Sequence, residues 1–404
     1  MRFKKKECEL IFPTMSLKGY FYRKSNMGNR RNILSLHILG NWIILFVFAT
    51  ITSFQVTAAT ITSKVVTGNW SLGTNWVGNV APVAGDDVII AAGANITADV
   101  NPTLCNSLTV LGTLTGSNRN LSIATYLTSS GTINYGGASG IISVGTSLTL
   151  TGGAMTVNTG NINVSGTTTI SGGSFTDNNN TGVDTFTGLV SVSGAGAFTS
   201  TSVTTTGRIL FNGGLTHSAG STGLISIGTA TITGNLINAD GNFTKSTGGN
   251  FSVSGTTTLS GGAFTISNNS VSTFTGTITL SNSATFTSTA ITTTGNLVIQ
   301  NGLINNGSGL FNANAGTINT TSGQTIQINS TGDISFGSAN NNVAISVNTI
   351  IQGSGSGKFN FNGTGTMTIG NGITVTNQKI VNSTGVINGG NGASTWVNDI
   401  NSTL

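Results

Sequence analysis

Charge is scarce in this chain. Of its 404 residues 6% are charged, with 15 Lys and Arg, 10 Asp and Glu, 2 His, 2 Cys and 3 Pro. The few charges are also unevenly placed. Nine of the 15 basic residues lie at or before Arg31, as do both Glu residues, Glu7 and Glu9. From Ala59 onward there remain six basic residues (Lys64, Arg119, Arg208, Lys245, Lys358, Lys379) and eight Asp, a net charge of −2. The formal +5 is therefore a property of the leader. Nucleic-acid binding by phosphate neutralisation has no supply of charge. One Cys, Cys105, is left beyond the leader, so an intrachain disulfide is excluded and hydrogen bonds and packing must hold the fold. Pro occurs there only at Pro82 and Pro102, which leaves strand ladders uninterrupted. Zinc-ligand spacings (His-x-His, Cys-x-x-Cys, HExxH) are missing, and no metal or other cofactor is expected. No helical periodicity of useful length follows the leader.

The leader itself is basic, then apolar over roughly Ile33 to Phe54, then closes in small residues at VTAAT (Val56 to Thr60). That order describes a secretory signal peptide with cleavage after Ala58 or Ala59. The basic stretch is long for one, and Met27, followed by Gly-Asn-Arg-Arg, makes a more ordinary start. An uncleaved membrane anchor is the competing reading, since the apolar run nearly spans a bilayer; His37, Gly40 and Asn41 interrupt it.

What the chain has in abundance is Gly, Thr, Ser, Asn, Val and Ile. Thr, Val and Ile are β-branched and suit strands. Apolar residues alternate with polar ones at Leu148 and Leu150, Ile162 and Val164, Ile225 and Ile227, Phe251 and Val253, and Ile278 and Leu280. This period of two buries one strand face. Gly, Asn or Ser breaks the runs every five to eight residues (Gly145, Gly152, Gly172, Asn178, Gly261), and such residues accept tight turns.

Two sentences of the chain are written twice. VSGTTTISGGSFT (Val164 to Thr176) returns as VSGTTTLSGGAFT (Val253 to Thr265), 89 residues on, and AFTSTSVTTTG (Ala197 to Gly207) returns as TFTSTAITTTG (Thr285 to Gly295). Duplicated blocks of about 161–249 and 250–337 follow, the mark of an array whose units bury their apolar faces by stacking. A finer period shows in apolar residues after small-residue turns, at Met155, Phe175, Phe198, Leu215, Leu236, Phe264, Phe286 and Leu303. Steps near 21 residues make about four turns per block and point to an all-β, right-handed parallel β-helix, or β-solenoid, over 117–404. It would have roughly 13 to 14 turns and a rod length on the order of 60 Å at the strand spacing. Phe and Ile would stack in columns inside, and Thr, Ser and Asn in ladders outside. A string of antiparallel sandwich domains of about ninety residues is the alternative.

Residues 59–116 differ in composition. They hold Trp70, Trp76, Pro82, Gly85, the adjacent pair Asp86 and Asp87, Val88, Ile90, Gly93, Cys105, Leu108 and Val110. This order of spaced Trp, Pro, Gly-Asp-x-Val-x-Ile and Cys-x-x-Leu-x-Val resembles the N-terminal segment of secreted, adhesin-like repeat proteins of Bacteroidota, and is similar to a relaxed G8 domain. The resemblance implies that the segment opens a right-handed β-helix, and that the type IX route exports the protein through a C-terminal sorting domain. None is visible before Leu404, so a truncated frame is expected. Trp70 and Trp76 are read as a cap over the first turn, since an open strand edge templates aggregation, or else as a carbohydrate contact. Asp86 and Asp87 are read as turn residues rather than a calcium site, for which two carboxylates are too few.

Catalytic constellations are thin. His217 is the one His past the leader and is read as a solvated turn residue, not a member of a Ser-His-Asp system. Asp177 and Asp184 flank an Asn-rich turn, but the second block has Ile266 and Ser272 in their places, so the scaffold was copied without the carboxylates. GSGSGKF (Gly353 to Phe359) fails the phosphate-loop spacing. Thr-x-Thr units at Thr229, Thr275 and Thr285 raise ice binding, though they keep no single register. The sequence therefore reads as an extracellular structural or adhesin-like surface protein, not an enzyme, that binds surface polysaccharide or other cell-surface components weakly and multivalently. A carbohydrate-binding or carbohydrate-active β-helix is the first alternative and ice binding the second.

Overall fold

The structure is a computed structural model that describes residues 58–398 apart from 117, 138–139, 180, 202–207, 247, 268–269, 290–296, 315, 319–323, 338–341, 363–364, 380, 384–385 and 390–393. The leader up to Thr57 with its expected start, the tails of the second repeated string and the last six residues lie outside the described residues. No helix among the described residues is long and apolar enough to cross a membrane.

From Thr60 the chain winds as a parallel β-solenoid with three strands to a turn. Every third strand joins the same sheet, giving sheets of 16, 15 and 14 strands, here called sheets 1, 2 and 3. Sheet 1 begins at Thr60–Thr62, sheet 2 at Thr67–Asn69 and sheet 3 at Thr103–Cys105. A strand pairs with its counterpart one turn later and never with its sequence neighbour, which excludes an antiparallel sandwich. From Leu121–Ile123 onward sheets 1 and 3 each hold 13 strands, in keeping with the 13 to 14 turns expected over that stretch. The sheets pass Gly116 unbroken: Thr113–Gly116 pairs with Asn95–Ala98 on one side and Thr132–Tyr135 on the other.

The period of two explains the core. In Ser174–Asp177, for example, Phe175 and Asp177 turn inward while Ser174 and Thr176 lie half-exposed. In-register pairing then stacks like on like. The main inner column of sheet 2 runs Met155, Phe175, Phe198, Ile225, Phe243, Phe264, Phe286 and Phe311. Its rings lie nearly face to face, with centroids 4.8 Å apart for Phe175 and Phe198, 4.6 Å for Phe243 and Phe264, and 4.4 Å for Phe286 and Phe311. Strand spacing sets this separation, and offset stacking adds to burial. The column corrects the series read from sequence. Leu215, Leu236 and Leu303 belong to sheet 1, and between Phe198 and Phe264 the sheet 2 column passes instead through Ile225 and Phe243. Turns differ in length, so spacing alone merged two columns.

The duplication is four turns. Val164 is carried by register through Phe186, Phe211 and Ile232 to Val253. At the matching corner Gly262 takes φ of +65°, and a Cβ there would collide with the carbonyl oxygen of Gly241 one turn below, so only Gly serves.

Candidate functional site

The Trp and Asp residues singled out at the start of the solenoid are packed into it. Trp70 and Trp76 are buried, edge to face at 5.1 Å, and the Trp76 indole N–H donates to the Trp70 carbonyl at 2.9 Å. Neither ring face is open to a sugar. Asp86 Oδ2 accepts the Val83 N–H at 2.8 Å and closes a turn, while Asp87 Oδ1 accepts from the Asn106 amide at 2.7 Å and the Ser107 hydroxyl at 2.6 Å. No group of three or more potential metal ligands exists among the described residues. Cys105 is buried, and burial pushes its thiol up to about 12, which makes it inert.

The polar chemistry of the molecule is inside it. Asp177 ends the sheet 2 strand Ser174–Asp177, and Asp184 lies in the sheet 3 strand Val183–Phe186, across one corner. Both side chains point inward, are 1% exposed and hydrogen-bond to each other. Asp177 also accepts the Asn179 N–H at 2.7 Å and the Ser200 hydroxyl at 2.8 Å; Asp184 accepts the Ile162 N–H at 2.7 Å. Asn179 ties the corner by donating to Asn161 at 2.7 Å and accepting the Thr181 and Gly182 N–H groups at 3.0 and 3.1 Å. Desolvation raises both carboxyls, and for Asp184, with the Asp177 charge adding to it, the value reaches about 8. The pair shares a proton, Asp184 donating. A pair in mutual hydrogen-bond contact is closer than the roughly 5–10 Å between carboxylates that glycoside hydrolysis uses.

His217 is not a solvated turn residue. It is fully buried in an inner column of sheet 1, between Val192 and Asn238. Its Nδ1 meets Asn238 Oδ1 at 3.0 Å and its Nε2 meets Ser221 Oγ at 2.9 Å. Asn238 spends its amide N–H on the Gly261 carbonyl, so its oxygen accepts and Nδ1 carries the proton. Burial lowers the His217 pKa, the Asn238 bond and the Asp240 charge opposing. The array orders Ser, His and an amide as hydrolases do, but Ser221 is itself 4% exposed. Lys245, two residues after Phe243, is fully buried and lowered by desolvation to about 8. Parity was the available signal for all of these. Asp177 follows Phe175 by two and His217 follows Leu215 by two, which puts each on the inward phase.

Outside, sheet 2 carries a polar column in continuous register, of which Ser335 is buried and the other members are half-exposed or exposed. Thr97, Thr115, Asn134, Thr156, Thr176, Thr199, Ser226, Thr244, Thr265, Thr287, Asn312, Ser335 and Asn360 succeed one another in register, one per turn. No member is charged. Side chains bond along the axis, as between Thr97 and Thr115 at 3.1 Å and from Asn360 to Ser335 at 3.1 Å. A second ladder at the adjoining corner runs from Asn134 through Asn158 and Asn178 to Thr201 at 3.0, 3.2 and 3.3 Å. Thr fills eight of the thirteen positions of this column, while the Thr-x-Thr units keep no single register, as their sequence indicates. Those units fall on different faces, Thr231 on sheet 3 and Thr287 on sheet 2, whereas the column takes a single Thr from each of many turns.

A family model described as the G8 domain matches residues 75–181. The match exceeds the segment on which the sequence resemblance rests and reaches into the first duplicated block. No curated protein and no solved structure matches the chain. A G8 match on a β-solenoid fits an extracellular surface-type protein.

Proposed function

We propose that the protein is a secreted, non-catalytic, adhesin-like surface protein whose solenoid presents the outer face of sheet 2 to neutral surface polysaccharide. The uninterrupted uncharged column from Thr97 to Asn360 carries this reading. Each hydroxyl or amide offers a weak contact, and the regular strand spacing lets many act together, so affinity comes from effective concentration and not from one pocket. The inward carboxyl pair supports a non-catalytic role, because its groups are withdrawn from any substrate. The test is retention on a panel of insoluble neutral polysaccharides. Replacing Thr176, Thr199 and Thr265 singly by Lys should weaken retention slightly, and the triple replacement should weaken it multiplicatively. Unchanged retention of the triple variant, or release of sugar from any polymer, would defeat the proposal.

The same column favours a second reading, ice binding, since a flat array of in-register Thr can order water. Thermal hysteresis that is lost in the triple Lys variant would select it; no hysteresis in the unaltered protein discards it.

A further inference from the structure

One hollow on the surface combines charge with hydroxyls. It lies on the outer side of sheet 3, where four successive turns contribute Arg208–Phe211, Ala230–Ile232, Phe251–Val253 and Ser272–Phe274. Its volume is about 290 Å³, near the lower end for small-ligand sites. Arg208, Thr229, Thr231, Asn250, Ser252 and Thr273 supply its polar lining, and no acidic residue takes part. Thr231, Ser252 and Thr273 are in register on consecutive turns, and Ser252 donates to Thr231 at 3.3 Å, so the floor is a row of hydroxyls. Arg208 is exposed, and its guanidinium makes no hydrogen bond or ion pair among the described residues. In the second duplicated block the equivalent residue is Asn296, so this charge was placed once and is not part of the repeated scaffold.

The chemistry of a fitting ligand follows from these groups. A guanidinium offers a planar fork of N–H donors that matches a carboxylate in bidentate fashion. A single positive charge balances a monoanion and leaves a phosphate dianion unbalanced. The hydroxyl floor donates and accepts, as the ring hydroxyls of a sugar require, and the Thr methyl groups give a shallow apolar bed. We propose that the hollow binds one carboxylate-bearing sugar ring, a hexuronate unit of an acidic saccharide, with the carboxylate on Arg208 and the ring over Thr231 and Ser252. The site is separate from the sheet 2 face and does not depend on it.

The test is saturation-transfer NMR on the full-length protein with glucuronate, glucose and acetate as probes. Glucuronate should give a saturable signal. Glucose, which has a neutral hydroxymethyl group in place of the carboxylate, and acetate, a carboxylate without the ring, should each bind at least ten times more weakly. Arg208→Gln should weaken glucuronate by about 10- to 100-fold, the value of a charge-assisted hydrogen-bonded pair. Thr231→Val keeps the shape of the floor and removes a hydroxyl; it should weaken glucuronate and leave acetate unchanged. No glucuronate signal, equal binding of glucose or of acetate, or unaltered binding by Arg208→Gln overturns the proposal. Thermal melting of each variant confirms that the solenoid is intact, and the triple Lys variant of sheet 2 should retain glucuronate.

Discussion

The inward polar residues make stability depend on pH in a direction that can be worked out. An unfolded Asp titrates near 3.8, whereas Asp184 in the fold titrates near 8. The folded state therefore holds a proton that the unfolded state has released across that window. Stability is full below about pH 4 and declines as the pH rises to about 8. His217 works in the opposite sense: its folded pKa lies below 6.5, so its contribution declines as the pH falls below that value. Asp184→Asn separates the two. An Asn oxygen still accepts the Ile162 N–H, and its amide donates permanently to Asp177, which can then ionise against Asn179 and Ser200. Thermal melting between pH 5 and 8 should fall with rising pH in the parent and lose most of that slope in the variant; an unchanged slope would place the titrating group elsewhere. The second block offers a paired test. Ser288 occupies the place of Ser200, but its neighbour is Ile266 instead of Asp177, and its buried hydroxyl has no partner. An orphaned buried hydroxyl costs about 1–3 kcal/mol. Ser288→Ala should therefore be neutral or stabilising, while Ser200→Ala should destabilise by about 1–3 kcal/mol, as read by chemical denaturation.

At the scale of the strand, one residue of phase decides everything. Phe264 and Thr265 are adjacent in Ala263–Ile266, yet Phe264 lies between Phe243 and Phe286 in the ring stack and Thr265 lies on the outer column. Phe264→Ala should cost about 3–5 kcal/mol, the usual range for emptying a packed core site. Thr265→Ala should fall within about 0.5 kcal/mol of the parent in stability. Near-equal losses would contradict the register. This alternation is legible in the order of residues around Phe251 and Val253 or Ile162 and Val164, because period two is a property of the strand itself. The number of turns is legible for the same reason. The columns are not, because corner length varies: Phe175 to Phe198 is one turn, and Phe198 to Ile225, a longer stretch, is also one turn. The outer Thr column is hidden by the same variation, since it takes one residue from each turn and has no local motif. The buried polar sites are hidden for a different reason. Hydropathy assigns Asp, His and Lys to the surface, whereas in a solenoid the strand phase overrules composition, and corner amides such as Asn179 and Asn238 can satisfy what is buried.

At the scale of the whole solenoid, stability should be a sum over turns and their interfaces, since each turn contacts mainly its neighbours. The duplication makes this testable without new sequence. Residues 164–252 begin at Val164 and stop one short of Val253, and these two valines occupy the same sheet 3 column four turns apart. Excising 164–252 joins Asn163 to Val253, followed by Ser-Gly-Thr-Thr-Thr in both contexts. Thr257–Leu259 then lands on Ser147–Leu150 where Thr167–Ile170 stood, and Thr257 replaces Thr168, also buried, in the column. No inward residue changes parity, so the shortened chain should fold with the same strand signature in circular dichroism and a smaller hydrodynamic radius. The deletion also removes Asp177, Asp184, His217 and Lys245 together. Its melting temperature should accordingly be nearly flat from pH 5 to 8, where the parent shows the Asp184 decline. Cutting one residue more joins Asn163 to Ser254 and puts a polar residue in the inward place of Val253 in that strand, with the next corner absorbing the difference, so that variant should melt at a lower temperature than the in-register deletion. If both deletions fold equally well, the register does not control the stacking. If the in-register deletion fails, the four polar residues it removes are needed to form the turns, and the solenoid is not the additive array that its duplication suggests.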